Sequence, residues 1–598
     1  MNIIPERLMA LRRVMAQKKI DAVLIPTSDF HASEYVGAYF QTREYFSGFT
    51  GSAGTVVVLM EEAGLWTDGR YFIQADKELK GSGIALFRMA DPGVPEIEEY
   101  LFDKLSDGAV LALDGRMADA GWCLELSEKL APKRIALISE FDPADGIWED
   151  RPPLSQEPAY LLPLAYAGKS VKEKLTDLRK ALKDSNADAH VLTTLDDIAW
   201  LYNIRGADVA YNPVVLAYTA VDSERAVLFV EQKKLNAEIT ESLHAANVEV
   251  RPYEEVYRYV AGFTKAQRVL VSGKKVNYAL YTQIDANATV VEGENPTTLA
   301  KAVKSETERE NFRKAHVKDG VAVTRWMYWM KHRNWQEKTT EVDASNYVDA
   351  LRLQQPGNIG LSFPSISGYG ANAAMQHYHA TEANCATVEP KGLFLLDSGG
   401  QYYEGTTDIT RTVAVGPLTG EQKRHFTLVL KGTLRLSNVK FLAGLSGLQL
   451  DILAREALWA EGLDYNHGTG HGIGYLLCVH EGPNGFRYRN LPGRTPLCAF
   501  EPGMVTSVEP GMYVEGSHGI RLENLALCVE GKKTEYGRFL EFETLTLVPF
   551  DLDAVEAELL SAQEKEWLNS YHSRVYETIA PLIPEEERAW LKQATRAI

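Results

Sequence analysis

The sequence predicts a multidomain protein of mixed α/β and α+β class: two related α/β domains, then one larger domain of glycine-punctuated strands and flanking helices. Three observations carry this reading. The chain has 598 residues, more than one hydrophobic core accommodates when domains run to ~100–200 residues. A helix followed by a short apolar strand opens the chain and recurs after residue 170. Beyond Asn295-Pro296 the pattern changes to a long charged helical stretch and then to strands broken by glycine.

The first helix is expected from about Pro5 to Lys18, amphipathic at helical spacing, and it leads into the buried-strand run Asp21-Ala-Val-Leu-Ile-Pro26. Gly51-Ser-Ala-Gly54 turns into the strand Thr55–Leu59, and Leu65-Trp-Thr-Asp-Gly-Arg70 ends a third strand on its Asp-Gly pair. Asp188-Ala-His-Val-Leu-Thr-Thr194 follows a Leu/Lys helix as Asp21–Pro26 follows the first, which implies a duplicated domain. Prolines from Arg151 to Pro163 place the first boundary, so the domains are read as 1–155, 156–305 and 306–598. The last begins on a helix from about Lys304 to His332 and ends in helices around Ala554–Leu568 and Glu585–Gln593.

Composition narrows the function. With 45% hydrophobic and 24% charged residues the chain is neither a disordered polymer nor a fibrous repeat. A net charge of -18 without basic clusters argues against nucleic acid, whose phosphates require clustered Lys and Arg. Glu6, Arg12, Arg13, Lys18 and Lys19 interrupt the N-terminal apolar residues, so no signal-peptide core is expected, and nothing approaches the ~20 apolar residues of a membrane span. Five scattered cysteines without a Cys-x-x-Cys pair fit a reducing, cytoplasmic setting.

The chemistry concentrates in the last domain, where six of the thirteen histidines lie between His377 and His480. Asp397 ends the apolar run Gly392–Leu396, Asp408 lies in the alternating Gly405–Val415, and Ser398-Gly-Gly400 between them predicts a hairpin that sets the carboxylates side by side. Glu509 ends Met504–Val508 and Glu523 sits in the alternating Gly519–Leu527. Taken singly, each Asp reads first as a turn cap and each Glu as a core-edge acid paired with Arg521 or another base. Together, buried carboxylates held close repel unless protonated or neutralised by a cation. His467 and His471 lie four apart, but the glycines among them exclude a helical zinc motif, and His480-Glu481 lacks the second histidine of His-Glu-x-x-His. Four carboxylates with one imidazole suit two divalent ions and a shared hydroxide, with manganese, cobalt or zinc as the metal.

In this order the motifs resemble the aminopeptidase P family, the Xaa-Pro aminopeptidases of pita-bread fold, and within it the long three-domain cytosolic branch. The resemblance spans the chain and rests on Leu396–Tyr402, Gly405–Thr412, His467-Gly-Thr-Gly-His471, Val479-His-Glu-Gly-Pro483, Glu509-Pro-Gly511 and Gly519–Asn524. It implies a pita-bread catalytic domain behind two creatinase-like domains, the latter marked by Ser47–Thr55 and Trp66–Arg70. It implies that Asp397 binds one metal, that Asp408 and Glu523 bridge two, and that His471 and Glu509 complete the second. It further implies two divalent ions per subunit, most often manganese, with Glu509 receiving the proton of a bridging water. His377 and His480 would contact the substrate and stabilise the tetrahedral intermediate, supported by His467 and Arg521. Substrates would be peptides with proline at the second position, and the assembly a homodimer. Prolidase, with the same metals and a dipeptide substrate, is the nearest alternative. A non-enzymatic peptide- or histone-binding scaffold of the same fold is the alternative from another class.

Overall fold

The computed structural model describes residues 3–490 and 497–598. It divides into two compact units, Met1–Pro163 with Lys169–Thr298, and Leu164–Gly168 with Leu299–Ile598.

The first unit holds two six-stranded sheets of one design. Ala22–Pro26 lies antiparallel to Thr55–Leu59 and parallel to Val110–Ala112. In the second sheet Ala189–Leu192 lies antiparallel to Ala217–Asp222 and parallel to Arg268–Val271. The helix before each central strand buries one face at the same spacing, Ile4, Leu8, Leu11 and Met15 against Val171, Leu175, Leu178 and Leu182. The duplication extends to single atoms. Asp21 and Asp188 each precede a central strand, and each carboxylate accepts the first N–H of the parallel neighbour, Val110 or Arg268, at 2.8 Å. A side chain thereby satisfies a backbone donor at the end of the parallel ladder.

The second unit opens with the helix Glu306–His332, capped by Ser305 in a reciprocal bond with Glu308. One sheet sets Leu393–Ser398 between Ile366–Tyr369 and Ile409–Ala414, with Asp397 opposite Thr410. A larger sheet runs in the order Lys440–Leu442, Gly537–Thr544, Asn524–Thr534, Val505–Val508, Gly470–Gly472 and Glu481–Phe486. The helix Gly420–Ser437 packs Phe426, Val429, Leu430 and Leu434 in one core with Met512, Ile520 and Leu522. Each such buried side chain contributes roughly 1.5–3 kcal/mol relative to exposure, and together they hold the flank on which several acids sit.

Two elements differ from the sequence reading. The C-terminal helix runs Ala562–Ile579, later than expected, because Ser561 and Glu564 form a capping box there while Leu552–Leu559 makes short turns. The alternating stretch at 519–527 is two strands, His518–Arg521 and Asn524–Thr534, which belong to different sheets. Among the described residues no helix is long and apolar enough to cross a membrane, and none of the five cysteines is joined in a disulfide.

The C-terminal helix also carries a pH-sensitive group. His572 is fully buried and its Nε2 accepts the Phe550 N–H at 3.1 Å. Burial, then the charges of Arg411 and Arg596, push its pKa from 6.5 down to about 3. The unfolded chain therefore binds the proton first as pH falls. The stability held by neutral His572 is intact above pH 6.5 and lost down to about pH 3, at about 1.4 kcal/mol per pH unit. Urea melts of the wild type and His572→Gln between pH 4 and 6 are expected to differ in slope by close to one proton. Parallel slopes would show that His572 titrates normally.

Candidate metal centre

Strand ends bring the acids together. Asp397 faces the cluster from the central strand 393–398, while Asp408 stands one residue ahead of the strand Ile409–Ala414. Between them 400–402 and 405–406 form a small hairpin of their own, so the predicted turn is elaborated but the two strands are neighbours as expected. Glu509 directly follows Val505–Val508, and its N–H donates to Thr469 O at 2.8 Å. Glu523 occupies the break between the strands 518–521 and 524–534, and its N–H donates to Thr410 O at 3.1 Å. That bond is one of several that tie the strand Ile409–Ala414 to Glu523 and Asn524.

His471 comes from the short strand Gly470–Gly472, which pairs on one side with Glu481–Phe486 and on the other with Val505–Val508. Glycine is required on both flanks, because a Cβ on Gly470 would lie 1.9 Å from Ser507 O and one on Gly472 2.2 Å from Glu481 O. His471 Nε2 lies 3.5 Å from both Asp408 Oδ2 and Glu509 Oε1. Ligand atoms of Asp408, His471 and Glu523 all fall within 4.8 Å of one another.

The electrostatics call for a cation. Asp397, Asp408 and Glu523 are 7, 4 and 1% exposed. Burial, then the charges of Glu523, Asp397 and Glu509, hold the Asp408 carboxyl well above the usual range. Burial followed by Glu509 and Asp397 does the same to Glu523, against the opposing Thr410 hydroxyl and Arg521. Asp397 Oδ1 and Glu523 Oε1 are buried and accept no hydrogen bond. Unsatisfied buried carboxylate oxygens are costly, and oxygen-rich clusters of this kind are neutralised by hard or borderline divalent ions. The donor set therefore fits metal, and Asp397, Asp408, His471, Glu509 and Glu523 are the residues that could hold it.

Arg521 organises one edge. Its guanidinium donates to Asp397 Oδ2 at 2.5 Å, Tyr513 OH at 2.8 Å, Thr410 Oγ1 at 3.2 Å and Gln376 O at 3.4 Å. The last contact fixes the residue before His377, and Gly519 lets that segment pack closely, since a Cβ there would lie 1.8 Å from Ala373 O. His467 Nε2 meets Tyr513 OH at 3.0 Å. His480 stacks edge-on against His471 with ring centroids 4.3 Å apart. Asp408, Glu509 and His480 lie by His471, and Asp397 and, through Tyr513, His467 by Arg521.

Four supporting residues escaped the sequence reading. Thr410 donates to Glu523 Oε2 at 2.7 Å, Ser507 Oγ accepts the His471 N–H at 3.0 Å and donates to Glu509 Oε1 at 3.3 Å, and Tyr513 joins His467 to Arg521. Arg411, fully buried, donates to the carbonyls of Glu523 and Val548 and to Asn524 Oδ1. Thr410 and Arg411 lay inside a quoted motif. Ser507 and Tyr513 carried no signal beyond their strands.

Comparison with known proteins agrees over the whole length. The creatinase/prolidase N-terminal domain matches residues 7–150 and again 150–308, metallopeptidase family M24 matches 310–530, and the C-terminal region of peptidase M24 matches 538–598. A probable Xaa-Pro aminopeptidase P of Botryotinia fuckeliana is 40% identical over 98% of this chain and 92% of its own. Aminopeptidase P1 of Arabidopsis thaliana is 38% identical over 99% of both chains. The crystal structure of an X-prolyl aminopeptidase from Caenorhabditis elegans, described as a cytosolic enzyme with a di-nuclear active site, superposes with a TM-score of 0.94 at 35% identity and full coverage of both chains.

Proposed function

The chain belongs to the aminopeptidase P family of M24 metallopeptidases, hydrolases of the Xaa-Pro bond that use two divalent metals, and from that premise we propose how its own residues perform the reaction. Asp397, Asp408, His471, Glu509 and Glu523 would hold the two ions. The observation that carries this assignment is the convergence of Asp408, His471 and Glu523 within 4.8 Å, with a buried Glu523 oxygen that accepts no hydrogen bond. Arg521 already offsets Asp397, so two divalent cations over-balance the remaining carboxylates by little and leave room for one anionic oxygen. The mostly oxygen donor set favours manganese, with zinc or cobalt as substitutes.

When bound, such a pair of cations would supply Lewis-acid charge and lower the pKa of water at the site toward neutrality. Glu509, oriented by Ser507 Oγ, takes the proton of the attacking water and returns it to the leaving nitrogen of proline. That nitrogen is a secondary amine after cleavage and is a poor leaving group unless protonated. His480 and His377 donate hydrogen bonds to the substrate and to the developing oxyanion. Arg521 and His467, joined through Tyr513, hold the opposite edge. The preference for proline follows from a scissile amide without hydrogen, on which a peptidase that grips N–H has no hold. The enzyme works as a cytoplasmic homodimer, by analogy with the cytosolic nematode enzyme for location.

Metal-stripped enzyme assayed on Arg-Pro-Pro, Arg-Ala-Ala and Ala-Pro, before and after manganese, tests the reading. Manganese-dependent release of arginine from Arg-Pro-Pro, with Arg-Ala-Ala untouched, is the expected result. Cleavage confined to Ala-Pro would mean a dipeptidase, and binding of two metals without hydrolysis a scaffold.

A further inference from the structure

Beside His480 the protein buries three charges that the reaction does not use. Lys301, Lys304 and Glu481 are 7, 2 and 5% exposed. Lys304 Nζ donates to Glu481 Oε1 at 2.5 Å and to Lys301 O at 2.8 Å, while Lys301 Nζ lies 3.2 Å from Glu481 Oε2. Two ammoniums meet one carboxylate, and all three groups are buried. Desolvating such a group is costly, and well-packed apolar residues of similar volume commonly serve stability as well or better. A stabilising role alone is therefore a weak reason for its presence.

Its place in the sheet suggests another. The strand bearing His471 lies between Val505–Val508, which leads into Glu509, and Glu481–Phe486, which begins one residue after His480. Lys304 is attached by its backbone to the first of these flanks: its N–H donates to Gly503 O at 3.0 Å and Val303 pairs with Met504. Its side chain ends on the second flank, at Glu481. The Glu481 main chain in turn packs on Gly472, where a Cβ would lie 2.2 Å from Glu481 O. We propose that Lys301, Lys304 and Glu481 are positioning residues: they staple the two flanking strands across the His471 strand and hold the His480 ring in register with His471 and Glu509. This rests on the substrate-contacting role of His480 proposed above. The triad does not touch substrate. It fixes the backbone from which His480 projects, and a displacement of about 1 Å at such a group is worth roughly 10²-fold in rate.

The test uses the full chain loaded with manganese and the substrate Arg-Pro-Pro. Three variants are compared with the wild type: Lys301→Met, which leaves Lys304 and Glu481 as a balanced pair and so folds; the apolar triple Lys301→Met/Lys304→Met/Glu481→Leu; and Lys304→Arg. Metal content, melting temperature, kcat and KM are measured for each. The triple variant is expected to keep two metals per chain and its melting temperature while kcat falls roughly 10–100-fold with little change in KM. Lys301→Met loses a smaller part of kcat, and Lys304→Arg, which preserves the charge, retains most of it. Wild-type kcat in both Lys301→Met and a folded triple variant would overturn the proposal and leave the triad purely structural. If the triple variant does not fold, Lys304→Met, which removes the bridge between the flanks and leaves Glu481 paired with Lys301, decides in its place: a wild-type kcat there overturns the proposal. The His480→Ala variant separates this inference from its premise. If His480→Ala is slow, the Lys301→Met change should cost nothing more in that background, whereas full additivity would refute action through His480. If His480→Ala is as fast as wild type, it is the role of His480 that fails.

Discussion

Asp408→Asn is expected to lower kcat on Arg-Pro-Pro by roughly 10³-fold or more and, in the metal-stripped protein, to raise the melting temperature by about 2 °C. The two effects have one cause. Asp408 is buried against Glu523, Asp397 and Glu509, and that burial and repulsion hold its carboxyl well above the usual pKa. A carboxylate whose folded pKa is raised costs stability above its unfolded pKa, and the cost disappears as pH falls below that value. Asparagine has nearly the same shape and no charge, so it removes the repulsion where no cation does. With manganese the order should reverse, because ions that bind only the folded wild type add their binding free energy to its stability and Asp408→Asn lacks a carboxylate proposed to hold them. Calorimetric melts of both proteins with chelator and with manganese, at pH 7.5, give the four values needed. A metal-stripped Asp408→Asn that melts below the stripped wild type would mean that the acids do not repel and that the cluster was misread.

How much of this could be read without coordinates depended on whether a role was local. The Asp397 and Asp408 pair was legible because Ser398-Gly-Gly400 lies between two apolar strands, and those strands are neighbours in the sheet. The duplicated N-terminal domains were legible from Asp21 and Asp188, and the same two residues make the same backbone contact. Glu523 was found for its type, but its surroundings were not: hydrophobic alternation through Ile520 and Leu522 slips by one residue at Glu523-Asn524 before resuming at Leu525 and Leu527, and the chain changes sheets there. Alternation records which faces are apolar and says nothing of which strand lies alongside. Tyr513 and Ser507 look like ordinary strand residues because their partners, Arg521, His467 and Glu509, are brought in by the fold. Glu481 entered the sequence reading inside a failed zinc motif and the Val479–Pro483 motif but with no role of its own, since its ion pairs reach back to Lys301 and Lys304, with separations of 180 and 177.

The proton-handling role proposed for Glu509 yields the second large effect. Glu509→Gln keeps an oxygen within reach of the metals and of Ser507 but cannot take up a proton, and kcat is expected to fall roughly 10²–10⁴-fold at saturating manganese. KM should move far less, because the substrate-contacting histidines are untouched. Lost metal could mimic this result, so metal content is measured in the same samples and the rate compared at two ions per chain. The leaving group then discriminates further. If Glu509 delivers its proton to the proline nitrogen, a substrate carrying 4-fluoroproline, whose nitrogen is less basic and leaves more readily, should suffer a smaller loss on Glu509→Gln than its proline counterpart. If Glu509 serves only to activate water, both substrates lose the same factor. A fully metallated Glu509→Gln within tenfold of wild-type kcat would place the proton acceptor elsewhere, with His480, 4.3 Å from the His471 ring, the next residue to test.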